Sequence, residues 1–180
     1  RAILVAVSKT KPAEEIQALY NEGQRDFGEN YVQELVDKQA LLPKDIRWHF
    51  IGHLQSNKVK YIAPFVHLIH GVDSEGLLKE INKQAKKNNR VIDCLLQVHI
   101  ATEETKFGLD EKELGEVISN IQSTNDFQNI RITGLMGMAS FSTDLSLVRN
   151  EFKFLESLLD KYTQLQTSNL QLQTLSMGMS

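Results

Sequence analysis

The sequence has 180 residues, of which 41% are hydrophobic and 24% charged, and its formal net charge at pH 7 is −3. These values predict one globular domain with a sizeable core, and they argue against a broad nucleic-acid surface. No apolar stretch has the length of a membrane span and no signal peptide is recognisable, so we expect a cytoplasmic protein. Cys94 is the single cysteine, which excludes a disulfide framework and favours a buried thiol.

The chain begins with an apolar, β-branched run at residues 3–7, which ends abruptly in a Ser-Lys-Thr sequence that contains Lys9. Such a run, followed directly by a helical pattern that opens at Pro12, is typical of a buried parallel strand. Lys9 is therefore expected at the carboxyl end of the first strand, where ligands gather in α/β folds. Position alone leaves two interpretations open: a lysine that extends its ammonium into water, and a partly desolvated lysine that forms a Schiff base.

Strand and helix patterns alternate along the remaining chain. The predicted strands cover residues 3–7, 25–30, 46–53, 67–74, 91–100, 130–139 and 170–180. The predicted helices cover residues 13–21, 31–42, 56–66, 75–88, 110–122 and 144–165. Gly23 is expected to end the first helix, Pro64 to end or kink the third, and Ser74 to cap the fourth.

This repeated βα unit predicts a (β/α)8 TIM barrel that is truncated after its seventh strand. A doubly wound open sheet is the alternative. It would usually carry a glycine-rich phosphate loop after its first strand, and the sequence has none there. We therefore favour the barrel.

Polar residues follow most of the predicted strands, and in a barrel these positions form one ring at the carboxyl ends. The strand ends contribute Lys9 and Thr10, Glu29 and Asn30, Gly52 and His53, Asp73 and Ser74, Ala139 and Ser140, then Ser176, Gly178 and Ser180. Glycines beside several strand ends would let a ligand approach the backbone closely. The sequence therefore predicts a ligand site at this end of the barrel.

Five segments carry a resemblance to a known family. They read AVSKTKP at residues 6–12, FGENYVQE at 27–34, WHFIGHLQSNK at 48–58, GLMGM at 134–138 and LSMGMS at 175–180. Together they resemble the pyridoxal phosphate homeostasis proteins, also called the YggS/PROSC family. The resemblance implies a single barrel domain over residues 1–180, similar to the N-terminal domain of alanine racemase and of fold type III among proteins that bind pyridoxal 5′-phosphate (PLP). An N-terminal helix and the last helix and strand of that domain would be missing.

The resemblance also implies the residues of the site. Lys9 matches the lysine that holds PLP as a Schiff base in this family, and residues 176–180 match a segment beside the phosphate. Asn30 and His53 would reach the cofactor ring or the lysine, or would be satisfied polar groups at strand ends. No catalytic residue and no metal ligand is predicted. The predicted cofactor-binding residues are Lys9, Asn30, His53, Ser176, Gly178 and Ser180.

The function implied by the resemblance is that of a carrier that manages and delivers PLP, with PLP-dependent apo-enzymes as acceptors, rather than an enzyme. We expect no nucleic-acid or membrane partner, and a monomer when the barrel is complete. The alternatives are a PLP-dependent amino-acid racemase or decarboxylase of fold type III, and a cofactor-free Schiff-base aldolase, which would place its lysine on a later strand.

In the family an eighth strand supplies an arginine for the pyridine nitrogen. No arginine of this chain matches that position, so only part of the cofactor's surroundings is expected.

Overall fold

The computed structural model of the protein describes residues 1–104 and 107–178. Its parallel sheet has seven strands in the order β1 to β7, each paired with the next strand along the chain. The strands are β1 Ala6–Val7, β2 Asp26–Glu29, β3 Arg47–Phe50, β4 Leu68–Val72, β5 Ile92–Gln97, β6 Ile130–Met138 and β7 Leu170–Gly178. The helices are α1 Ala13–Asn21, α2 Val32–Leu41, α3 Val59–Ile62, α4 Glu75–Lys87, α5 Glu111–Ser123 and α6 Leu145–Tyr162.

The strand order confirms the repeated βα unit and the barrel topology. Every connection leads to the neighbouring strand, whereas the order would reverse within a doubly wound sheet. The doubly wound alternative is therefore wrong. No helix in the described part of the chain is long and apolar enough to cross a membrane.

The main core lies between the sheet and the helices. Phe27 of β2 and Trp48 of β3 are at most 2% exposed, and their ring centroids lie 6.1 Å apart. They belong to one cluster with Ile16 of α1 and Leu35 of α2. Because side chains alternate along a strand, His49 faces the opposite side and lines the interior of the curled sheet. The interior therefore holds polar groups in reach of a ligand.

The helix ends follow the sequence signals. Gly23 has a φ of +102° after α1, and the Ser74 side chain accepts a hydrogen bond from the Leu77 N–H at the start of α4. The helix predicted over 56–66 is shorter, because a 3-10 turn at Ser56–Lys58 precedes α3 and Pro64 follows it. Cys94 is fully buried as predicted, and burial raises the pKa of its thiol.

The first strand is shorter than the predicted 3–7, since β1 comprises two residues and pairs only with β2. Among the described residues, β1 and β7 do not pair with each other, so the barrel is open along one seam. A cleft of about 590 Å³ lies at this seam, lined by residues 1–5 on one side and by residues 173–178 on the other. The interior is reached through this cleft.

Candidate functional site

Lys9 lies two residues beyond β1 and is half-buried. The backbone is fixed on both sides of it: the Ser8 N–H donates to the Gly28 carbonyl at 2.9 Å, and the Thr10 N–H donates to the Glu34 carboxylate at 2.6 Å. Within the described ranges, no hydrogen bond or ion pair engages the Lys9 ammonium. A nucleophilic lysine needs such an arrangement, with a fixed backbone and an amine that is not already bound.

A buried ion cluster beneath this loop explains why the backbone is fixed. We call it the Glu29 cluster: Glu29, Glu34, Lys38 and the Ser8 hydroxyl. The Lys38 ammonium lies 2.6 Å from a carboxylate oxygen of each glutamate and donates to the Ser8 carbonyl at 2.7 Å. Burial raises the pKa of Glu29, whereas its hydrogen bonds from Lys38 and Ser8 act in the opposite direction. Helix α2 therefore holds the segment before and after Lys9.

Sequence reasoning placed Glu29 at the strand end but missed Lys38. The signal was present, because Glu34 and Lys38 are four residues apart and therefore lie on one face of α2. The Lys38 side chain is 8% exposed, which a charged residue tolerates only with partners of opposite charge.

Asn30 follows β2 at the same end of the sheet. Its side-chain oxygen is buried and has no hydrogen-bond partner among the described residues. A Cβ atom on Gly52 would lie 2.6 Å from the Asn30 carbonyl oxygen, so only glycine lets the loops after β2 and β3 approach so closely. Leaving a buried acceptor unpaired costs about 1–3 kcal/mol, and a ligand that donates a hydrogen bond would recover part of it.

His53 has partners inside the protein. Its ring stacks on Phe107 with centroids 4.2 Å apart, and its Nδ1 lies 3.6 Å from a carboxylate oxygen of Asp73. These contacts agree with the interpretation of His53 as a satisfied polar group at a strand end. Contact between His53 and a cofactor stays a prediction. Ser176 and Gly178 line the seam cleft at the end of β7, whereas Ser180 lies outside the described residues.

A chain of polar side chains crosses the interior, and sequence reasoning missed it. We call it the histidine relay: Asp26, His49, His70 and Ser176. Asp26 Oδ1 lies 2.9 Å from His49 Nε2, His49 Nδ1 lies 2.8 Å from His70 Nε2, and His70 Nδ1 lies 2.7 Å from Ser176 Oγ. Alternation along β3 puts His49 on the face opposite to that of Trp48, but the contacts between β2, β3, β4 and β7 depend on strand register, which the sequence does not reveal.

The relay residues have shifted pKa values with clear physical causes. Arg47 binds both carboxylate oxygens of Asp26, at 2.9 and 2.6 Å, and its hydrogen bonds are the largest cause that lowers the pKa of Asp26 to about 2. Burial lowers the pKa of His49, and it lowers that of His70 to about 3. Asp26 is therefore ionised and both histidines are neutral near pH 7.

Asp26, His49 and His67 have donor atoms within 4.8 Å of one another, which is a spacing that a metal ion can use. However, Arg47 already occupies both oxygens of Asp26, and His49 Nε2 lies within hydrogen-bond distance of the same carboxylate. A cation would have to displace the guanidinium from that carboxylate. We therefore assign no metal to this cluster.

The fold and the site define a class: a parallel α/β barrel of the alanine racemase type, with a lysine after its first strand. The family model described as "Alanine racemase, N-terminal domain" matches residues 2–180. The chain is 43% identical to the pyridoxal phosphate homeostasis protein of Aquifex aeolicus, over 99% of this chain and 77% of that protein. The human protein of the same name is 39% identical, over 98% of this chain and 67% of that protein. The chain belongs to the pyridoxal phosphate homeostasis protein family.

Solved structures agree with this assignment. PipY of Synechococcus elongatus with PLP bound is 35% identical, has a TM-score of 0.87, and is matched over 99% of this chain and 82% of that chain. Alanine racemase of Streptomyces coelicolor has a TM-score of 0.78 at 14% identity, over 98% of this chain and 47% of that chain. The second likeness concerns the fold alone. The predicted family and the predicted barrel fold are confirmed.

Proposed function

We propose that this protein binds PLP with Lys9 as the point of covalent attachment, and that it takes part in intracellular PLP homeostasis and delivery. The observation that carries this proposal is the half-buried Lys9, whose flanking residues are fixed by the Glu29 cluster and the β2 backbone. The PLP-bound structure of PipY supports it, because that relative is matched over nearly all of this chain.

The residues present fit the chemical needs of PLP in part. PLP supplies a reactive aldehyde, and a protein that holds it needs an amine, donors for the phosphate and a group that faces the ring. Lys9 supplies the amine. We assign the phosphate to Ser176 and to backbone N–H groups beside Gly178, with Ser180 as a further donor. Asn30 and His53 remain the candidates for the ring edge, and the unpaired Asn30 oxygen supports the first.

The carrier is favoured over the racemase and the decarboxylase. The relatives at 43% and 39% identity are named pyridoxal phosphate homeostasis proteins, whereas the likeness to alanine racemase concerns the fold. A racemase also needs an acid–base group on each face of its substrate. Primary amines exchange on the aldehyde of PLP, so a lysine of a PLP-dependent apo-enzyme is the acceptor that a carrier would serve.

Absorption spectroscopy tests the attachment. Adding PLP should produce a band near the visible edge, and borohydride reduction followed by peptide mapping should place the label on Lys9. Lys9→Ala should abolish the labelled peptide. Lys11→Ala is the matched control, because Lys11 is exposed and pairs with Glu15 at 3.6 Å. A label that persists in Lys9→Ala would refute the assignment.

Incubation of the PLP-loaded protein with a panel of amino acids tests the carrier role. We expect no steady turnover, but transfer of PLP to an added apo-enzyme. Sustained racemisation or decarboxylation that disappears in Lys9→Ala would contradict the carrier function and support the alternative.

A further inference from the structure

The histidine relay has no role in covalent attachment, yet it ends at Ser176, where we assign the phosphate. It starts at the Asp26–Arg47 ion pair near the amino ends of β2 and β3 and crosses the interior in three hydrogen bonds of 2.9, 2.8 and 2.7 Å. The three inner members, Asp26, His49 and His70, are all buried, whereas Ser176 lines the seam cleft. The relay therefore connects a buried carboxylate with the ligand site.

The direction of every hydrogen bond in the relay is fixed. A neutral imidazole carries one N–H and one acceptor nitrogen. The ionised Asp26 can only accept, so His49 carries its proton on Nε2 and leaves Nδ1 as an acceptor. His70 must then donate from Nε2 to His49, which leaves His70 Nδ1 as an acceptor. Consequently Ser176 donates its hydroxyl proton to His70.

This direction determines what Ser176 offers to a ligand. Since its single proton is directed at His70, its oxygen presents only lone pairs to the cleft. A doubly ionised phosphate monoester also presents only acceptor oxygens. The two would repel each other, and one added proton removes the conflict in either of two ways.

In the first way, the added proton stays on a phosphate oxygen and is donated to Ser176. In the second, the relay reverses: Ser176 donates to the phosphate, His70 donates from Nδ1 to Ser176, and His49 donates from Nδ1 to His70. His49 then carries both protons and is a cation beside the Asp26 carboxylate. Both ways consume one proton from solvent, and no covalent bond other than the N–H or O–H bond forms.

We infer that the histidine relay makes this a site for a phosphate monoester that is bound together with one proton, an inference that rests on the phosphate position proposed above. A ligand that lacks the phosphate would bind without this proton. The relay thus couples binding of the phosphate group to pH.

The charged and titratable groups around the relay come from several strands. Asp26 and Arg47 lie at its amino end, and the exposed ring of His67, which precedes β4, has its centroid 5.3 Å from that of His49. A positive charge on His67 would disfavour a positive charge on His49, whereas the negative charge of Asp26 favours a positive charge on His49. Of these histidines, His67 is exposed and is not a member of the relay, so it provides a matched control.

Two ligands that lack the aldehyde cannot react with Lys9, so calorimetry with them measures the contribution of the phosphate group alone. Pyridoxine 5′-phosphate and pyridoxine are titrated into the protein at about pH 8, where a phosphate monoester with a pKa of about 6 is doubly ionised. Each titration is repeated in two buffers of different ionisation enthalpy. We expect uptake of about one proton more for pyridoxine 5′-phosphate than for pyridoxine, and a phosphate-dependent affinity that falls about tenfold per pH unit.

Ser176→Ala removes the hydroxyl that faces the cleft and should lose the additional proton uptake, and His67→Gln should keep it. His70→Phe removes the acceptor of the Ser176 proton and should lose the uptake as well, and 15N NMR of the wild-type imidazoles reports the tautomers directly. Tight binding of pyridoxine 5′-phosphate with no more proton uptake than pyridoxine would overturn the inference and leave the proposed function standing. If neither the phosphate ester nor PLP binds, the proposed function fails, and the inference fails with it.

Discussion

Ser8 and Thr10 fix the backbone on both sides of Lys9, while the Lys9 side chain makes no ion pair within the described part of the structure. A side chain without such partners contributes little to stability. We therefore expect Lys9→Ala to change the free energy of unfolding by less than about 0.5 kcal/mol. Urea denaturation checks this, and the same preparation should have lost the borohydride-stable PLP label. A strong destabilisation would show that Lys9 is a structural residue.

The phosphate position is tested by replacing Ser176 of β7 together with Ser180, which lies outside the described residues. Replacing Ser176 and Ser180 with alanine should weaken PLP much more than pyridoxal, which has no phosphate. Each lost hydrogen bond to a charged group should cost roughly 1.5–3 kcal/mol of binding free energy. The ratio of the two dissociation constants is the measurement, because a general distortion of the site would lower both affinities. Equal weakening would remove these serines from the phosphate site.

Among the elements, α2 is the one that determines the geometry around Lys9. Lys38 of α2 pairs with Glu29, which is fully buried, so Lys38→Met would leave a buried carboxylate without its counter-charge. Breaking a buried pair in this way should cost about 3–5 kcal/mol of the free energy of unfolding. Lys83→Met, at an exposed position of α4, is the control and should have almost no effect.

Combining Lys38→Met with Glu29→Gln should restore part of the lost stability, because the second change removes the unpaired charge. The two residues are in direct contact, so their effects should be strongly non-additive. If the double variant were as unstable as the sum of the single variants, the pairing of Lys38 with Glu29 would not be the source of the loss.

At the scale of elements the sequence predicted the strands and helices well, because the period of the apolar residues is a local property. It failed where an element depends on its neighbours. β1 is only two residues long, because it pairs with β2 at just two positions. The histidine relay joins residues more than a hundred positions apart, His70 and Ser176, through the curvature and register of the whole sheet. His70 had no local signal that marks it as part of a site, and the four-residue spacing of Glu34 and Lys38 indicates only an ion pair on one helix face.

For the whole molecule, the buried histidines predict loss of stability in mild acid. Their pKa values in the folded protein lie below the ordinary value of 6.5, so the unfolded chain binds more protons as the pH falls through 6.5. Each histidine then reduces the free energy of unfolding by up to about 1.4 kcal/mol per pH unit until its folded-state pKa is reached, about 3 for His70. Asp26 adds a further loss as the pH falls from 3.8 towards about 2.

The raised pKa of Glu29 acts in the opposite direction, because protonation of this group is more favourable in the folded protein. Chemical denaturation between about pH 7 and about pH 5 measures the sum. His70→Gln should give a shallower loss than the wild type over this range. A wild-type stability that stays constant would contradict the neutral, buried state of these histidines.

The open seam between β1 and β7 is a property of the whole barrel, and we expect it to affect the association state of the chain. The outer edges of β1 and β7 lack strand partners among the described residues, and Ile3 and Leu4, 68% and 76% exposed, lie beside the cleft. Unpaired edges with exposed apolar residues tend to pair with another chain. We expect the 180-residue chain to self-associate as its concentration rises, which sedimentation velocity would measure. Ile3→Lys combined with Leu4→Lys should reduce this association, because charges beside a free edge oppose pairing.

Closing the seam between β1 and β7 should raise both the free energy of unfolding and the affinity for PLP. A chain extended by one further helix and strand, able to pair with both free edges, should be a monomer with a larger free energy of unfolding. It should also bind PLP more tightly, because the added strand would cover the cleft beside Ser176 and exclude water from the phosphate position. Sedimentation and PLP titration of both chains provide the comparison. If the 180-residue chain is already a monomer at high concentration and binds PLP as tightly as the extended one, the seam is not the open side of an incomplete barrel.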